Sequence, residues 1–238
     1  MVRSILLRKK AALHNKDPDG YGSIAFQEKM KTEVHLTMLR TILGEAFSPG
    51  ELGEVIWANL DQDSWKYQVG HDHVHFDNNS FTTAFAYCDG LRSGVLSALN
   101  EGAYPLARER FGRLTHTMQD LYAHSNYVEL WMEKADGRPA VEIDPDDQGI
   151  FADPRLQSGK LYYPAEVVTF LPGIPPWVIE LFPADSHARM NKDGPNRPGF
   201  DYALQAALKR TQMEFDQIKK MLDNQQLQSF CGKDKKES

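Results

Sequence analysis

Apolar residues recur at helical spacing along most of this chain. Met30, Val34, Met38, Leu39, Ile42, Leu43 and Phe47 share one face of a helix predicted from about Phe26 to Phe47. Ser48-Pro49 reads as an N-cap followed by proline at the first helical position, opening a second helix to about Trp65. Residues 66–79, KYQVGHDHVHFDNN, read as a loop. A helix over about Ser80–Asn100 is broken by Glu101-Gly102, and Pro105 opens a long helix that ends near Ala135-Asp136-Gly137. Residues 136–160 are rich in Asp, Pro and Gly and read as a long loop. Residues 161–183 are apolar but hold five prolines, which rules out one continuous helix. After a further loop at 184–199, a last helix over Phe200–Leu222 carries Leu204, Leu208, Met213 and Ile218. No repeat and no alternating strand pattern stands out. The pattern predicts an all-α fold: one compact multi-helix domain over residues 25–230, an irregular segment at 1–24 and a flexible charged tail at 231–238.

Composition narrows the chemistry. With 238 residues, 25% of them charged and 41% hydrophobic, the chain can bury a sizeable core. A net charge of −6 argues against general nucleic-acid binding, which needs a basic face. Cys88 and Cys231 are the only two cysteines and lie far apart, which argues against a disulfide framework and a thiolate zinc site. The apolar run Ser4–Leu7 is too short for a secretory signal and ends in Arg8-Lys9-Lys10. No stretch approaches the roughly 20 apolar residues of a membrane span. The sequence as it stands leads us to expect a cytoplasmic protein, or a secreted one if a leader has been removed.

The stretch RLTHTMQDLYAHSNYVE, residues 113–129, breaks this ordinary picture. His116, Asp120 and His124 fall four residues apart, on one helical face. His116 with Asp120, or Asp120 with His124, spans a single ion. The two histidines are about 12 Å apart along a helix axis, which suits two metal positions with Asp120 between them. A plain polar stripe has the same spacing, and HxxxD alone is a weak motif. Gln119, Ser125, Asn126 and Glu129 suit either reading, as ligand-orienting partners or as a solvated face.

Other clusters shift the balance. Gly70-His-Asp-His-Val-His-Phe-Asp77 puts three histidines at alternate positions, of which His75 is the favoured ligand. Asn59-Leu-Asp-Gln-Asp-Ser64 offers Asp61 or Asp63 as a carboxylate ligand. His187 is followed by Asp193, and His35 sits between the core positions Val34 and Met38. Six of the eight histidines lie in three places, each with a carboxylate nearby, and that joint pattern favours a metal site. Nitrogen and oxygen ligands without thiolate suit zinc, and also manganese or iron.

Taken in order, these motifs resemble the Het-C-like branch of the zinc-dependent phospholipase C and single-strand nuclease superfamily. HTMQDLYAHSNYVE is similar to that branch's hallmark helix; EVHLT, ANLDQD, HVHFDN and SHARMNKD are similar to its other ligand motifs. The resemblance implies an all-helical fold and a cluster of two or three zinc ions held by His35, Asp61 or Asp63, His75, His116, Asp120, His124, His187 and Asp193. It implies a metal-dependent phosphoester hydrolase, phospholipase C-like, in which Asp120 bridges two metals and Asp61 or Asp63 ligates or orients the attacking water. Two features depart from the secreted enzymes. No processed N-terminus is visible to ligate a metal, and His124 follows Asp120 by four residues rather than six, a spacing the Het-C-like branch shares. The implied partner is a small-molecule or lipid phosphoester, with transient membrane-surface contact through the segment 161–183 and its Phe170, Trp177 and Phe182. The alternatives are a nuclease or phosphatase, for which Tyr122, Tyr127 and Trp131 offer stacking platforms, and a non-hydrolytic metalloprotein, either an iron redox enzyme or a structural or interaction protein.

Overall fold

The computed structural model describes residues 22–68, 70–170 and 174–233. The expected N-terminal segment up to residue 21, with His14, and the charged tail from residue 234 lie outside the described residues. The fold is all-α: among the described residues there are isolated β-bridges and no strand.

The long helices are α1 (Gly22–Leu43), α2 (Pro49–Asp61), α5 (Phe81–Asn100), α6 (Tyr104–His124) and α11 (Phe200–Lys220). Shorter ones are α3 (Trp65–Gln68), α4 (Asp72–His75), α7 (Tyr127–Ala135), α8 (Gln148–Phe151), α9 (Pro176–Ile179), α10 (His187–Met190) and α12 (Asn224–Cys231). Helix α6 is the hub and packs against α2, α5 and α11, while α1 lies against α2 and α11. Its position explains its burial, since a helix surrounded by others has no face left for water. Every residue from Leu114 to His124 is buried.

Two packing features fix the frame. Phe47, Phe111, Phe215 and Phe230 form one aromatic cluster, with Phe47 and Phe230 edge to face at 5.2 Å between ring centres. Gly112 lets α2 approach α6 closely, because a Cβ there would lie 2.3 Å from the Val55 carbonyl oxygen. Pro49 opens α2 behind Ser48, whose backbone is extended and whose hydroxyl turns to the Glu51 carboxylate rather than to the helix amides.

Three expectations need correction. The second helix stops at Asp61, and Trp65 belongs to the separate turn α3. The 66–79 loop contains the short helix α4, so His71, His73 and His75 do not alternate along an extended chain. The helix expected from Pro105 to Ala135 is broken at Ser125, whose backbone is extended with φ −112° and ψ 168°. The break is stabilised from outside the helix. Gly159 N donates to His124 O at 2.9 Å, Asn126 N to Gln157 O at 2.9 Å and Lys192 N to Ala123 O at 3.0 Å, so distant chain takes the place of the next helical turn.

Candidate metal centre

The break at Ser125 gathers the histidines. Residues 157–160 run past the C-terminus of α6 as a strap. Gly159 N binds His124 O, Gly159 O accepts from Asn78 N at 2.8 Å, and Lys160 O accepts from His187 N at 2.9 Å. One short segment thereby ties the ends of α6, the turn after α4 and the start of α10. Gly159 has no room for a side chain, since a Cβ would lie 2.5 Å from His187 Cα. Buried Glu166 holds α10 from the other side by accepting from Ala188 N at 2.7 Å.

Three groups of side chains could each hold an ion, with donor atoms within 4.8 Å of one another. The first is His35, Asp63 and His116; the second is His75, His116 and Asp120; the third is Asp77, His124 and His187. In the second, Asp120 Oδ2 lies 2.8 Å from His75 Nδ1 and 3.1 Å from His116 Nε2. Asp120 Oδ1 lies 3.6 Å from His35 Nε2, so this carboxylate sits between the first two groups. In the third, Asp77 Oδ1 lies 2.7 Å from His187 Nδ1 and 3.9 Å from His124 Nδ1. Asp193 completes it, with Oδ2 at 3.3 Å from His124 Nε2. His116 and His124, eight residues apart, thus serve different groups.

Burial makes this arrangement costly unless its charges are balanced. His35, His75, His116, Asp120, His124 and His187 are all buried, and Asp63 is the more open one at 33% exposure. His75 Nε2 and His116 Nδ1 are buried without a hydrogen-bond partner. Such groups cost about 1–3 kcal/mol each when nothing satisfies them. Electrostatics tell the same story. Burial alone would lower the His124 imidazole, but the Asp120, Asp193 and Asp77 carboxylates outweigh it and lift it to about 10. Burial opposes protonation of His116 too, and Asp120 with Asp63 again raises it. Burial pushes the Asp120 carboxyl up, while His116 and His124 outweigh that and hold it well below the usual range. Imidazolium protons therefore balance a concentrated negative charge here.

The structure separates the expected residues. His35, Asp63, His75, His116, Asp120, His124, His187 and Asp193 line one cleft or its groups. Asp61 does not join them; its carboxylate pairs with Lys66 at 2.8 Å, one turn past the end of α2. Asp77 is the residue that sequence reasoning passed over. Its signal was its place two residues after His75, in a turn where Phe76, Asn78 and Asn79 all adopt positive φ. Tyr122, Tyr127 and Trp131 are buried in the core and offer no stacking platform. Trp177 is 62% exposed and Phe182 half-buried, while the side chain of Phe170 lies outside the described residues. Among the described residues no helix is long and apolar enough to cross a membrane.

Comparison with known proteins points away from the phospholipases. A family described as the VWA7 N-terminal domain matches residues 32–142, just under half of the chain. That segment carries His35, Asp63, His75, Asp77, His116, Asp120 and His124. The von Willebrand factor A domain-containing protein 7 of Rattus norvegicus is 38% identical over 79 residues, 33% of this chain and 9% of the relative. The protein of that name from Homo sapiens is 35% identical over 91 residues, 35% of this chain and 10% of the relative. The match spans about a tenth of the length of these relatives. No solved structure matches the chain.

These findings overturn the resemblance to the Het-C-like branch. With it fall the phosphoester hydrolase, the phospholipase C-like and the nuclease or phosphatase readings; the catalytic roles of Asp61, Asp63 and Asp120 were implied by that resemblance alone. The lipid phosphoester partner has nothing to support it. The reason for the error is physical. Histidine and carboxylate one helical turn apart encode a chelating pair, and chelation says which ions fit, not what reacts on them.

Proposed function

We propose that this chain is a metal-binding domain holding two or three divalent ions, zinc foremost, in the buried histidine and carboxylate centre. The observation that carries this reading is the convergence of the buried His75 Nδ1 and His116 Nε2 on Asp120 Oδ2, at 2.8 and 3.1 Å, in a group whose donor atoms all lie within 4.8 Å of one another. Imidazole nitrogens converging on a carboxylate oxygen are what a metal ligand set offers. The donor set is all nitrogen and oxygen, which suits zinc and also accommodates manganese or iron. Two of the three groups share His116, hence the range of two or three ions. The ions would cross-link α1, the turn after α4, α6 and the 187–193 segment, and so contribute binding energy directly to folding.

The test is elemental mass spectrometry on the purified chain and on Asp120→Ala, before and after reconstitution with zinc. Two or three zinc ions in the wild type, lost in the variant, support the reading. A wild type that takes up no metal after reconstitution overturns it.

A further inference from the structure

Gln119 belongs to none of the three ligand groups, yet it is buried against one of their members. Its Oε1 lies 2.7 Å from His35 Nδ1 and accepts from Asn59 Nδ2 at 3.2 Å. Its Nε2 donates to Thr211 Oγ1 at 2.9 Å. An amide can sit either way round, and here its neighbours decide. Thr211 uses its hydroxyl proton on Ala207 O at 2.8 Å, so its oxygen can only accept and Gln119 must present its NH2. Thr115 likewise donates to Gly112 O at 2.8 Å, so Asn59 must turn its NH2 to Thr115 Oγ1 at 3.1 Å. That NH2 then faces Gln119, which must answer with its oxygen. This polarity leaves Asn59 Oδ1 buried without a hydrogen-bond partner.

The consequence reaches His35. A neutral imidazole carries its proton on one nitrogen only, and an acceptor fixed beside Nδ1 requires the proton there. The lone pair is then on Nε2, the nitrogen that lies 3.6 Å from Asp120 Oδ1. The His35 ring stacks on His116 at 4.7 Å between centres, which keeps it in that plane.

We propose that Gln119 is a positioning residue: it locks His35 in the Nδ1-protonated tautomer and so aims Nε2 at the metal position shared with Asp63 and His116, while Thr211 and Asn59 set the orientation of the amide. The consequence for metal affinity rests on the metal-binding reading; the tautomer lock does not. Partners of this kind typically matter by about 10–100-fold in metal affinity.

The test uses the full chain, with zinc titration and nitrogen NMR of the histidine rings in the metal-free protein at mildly alkaline pH. The variants are Gln119→Met, Gln119→Glu, Thr211→Val and Thr211→Ser. The expected result is a single Nδ1-protonated signal for His35 in the wild type and mixed tautomers in Gln119→Met. Zinc affinity falls about 10-fold or more in Gln119→Met, and Gln119→Glu, which keeps an acceptor, recovers most of it. Thr211→Val repeats the effect more weakly and Thr211→Ser does not, a pair that still decides the matter if Gln119→Met fails to fold. An Nε2-protonated His35 in the wild type, or unchanged tautomer and affinity in both Gln119→Met and Thr211→Val, overturns the proposal. If the wild type binds no zinc, the metal reading fails by itself, and the ring-nitrogen spectra alone support or overturn the lock.

Discussion

His75 Nδ1 lies 2.8 Å from Asp120 Oδ2, inside a core where both side chains are almost fully buried. The same oxygen lies 3.1 Å from His116 Nε2, so one carboxylate answers two imidazoles. Asp120→Ala removes the anion and leaves both rings facing a cavity. Breaking a buried pair by deleting one partner costs about 3–5 kcal/mol. Chemical denaturation of the metal-free variant reads that loss as a lower midpoint at fixed pH. A midpoint equal to that of the wild type would show that the carboxylate does not organise the cluster.

His124 sets a pH dependence for the metal-free protein. Its folded pKa of about 10 stands above the roughly 6.5 of an unfolded histidine. A raised pKa means that the folded state binds the proton more tightly. The contribution to stability is therefore complete below about pH 6.5 and is lost as pH rises through about 10. Asp120 acts with the opposite sign: its lowered pKa gives stability above the unfolded carboxylate value of about 3.9, lost as pH falls through the folded one. Thermal unfolding in the presence of a chelator should show the melting temperature falling on the alkaline side. With zinc present the alkaline fall should be offset, because ions then replace the protons. A metal-free melting temperature that climbs steadily from pH 7 to 10 would contradict the assignment.

Gly159 and His187 test the third group separately. A Cβ at Gly159 meets His187 Cα at 2.5 Å and backbone nitrogen at 3.0 Å, so relief requires the backbone itself to move. Gly159→Ala should shift α10, costing about 1–3 kcal/mol as overpacking does. It should also remove one bound ion while leaving the His75, His116 and Asp120 group loaded. Metal content equal to that of the wild type would place His187 outside the centre.

Gly112 tests the frame rather than the centre. Gly112→Ala brings a methyl to 2.3 Å from Val55 O and 2.8 Å from Ala58 Cβ, at the crossing of α2 and α6. A destabilisation of about 1–3 kcal/mol is expected, read as a lower urea midpoint with an unchanged slope. An unchanged midpoint would mean that the two helices separate without cost.

How much of this was legible in advance follows from range. Val34, Met38, Leu39 and Leu43 face the core because helix geometry repeats every few residues, and that repeat is written in the chain. The same geometry places His116 and Asp120 on one face of α6 whatever surrounds them. Asp61 and Asp63 looked alike in the sequence. Lys66 takes the first, and only the end of α2 turns the second to within 3.7 Å of His116. The break at Ser125 was hidden because neither glycine nor proline marks it and most of the backbone partners that replace the next turn come from residues 157–160 and 192.

The sequence by itself determined the all-α class and the course of the long helices α1, α2, α5 and α11, the chelating stripe on α6 and the absence of paired thiolates for a metal. The tertiary structure decided which side chains meet. His75 reaches Asp120 across 45 residues and Asp77 reaches His187 across 110. Local periodicity is fixed by backbone geometry over one or two turns, whereas contacts at such separations exist only once the core has packed and chosen one arrangement of the chain.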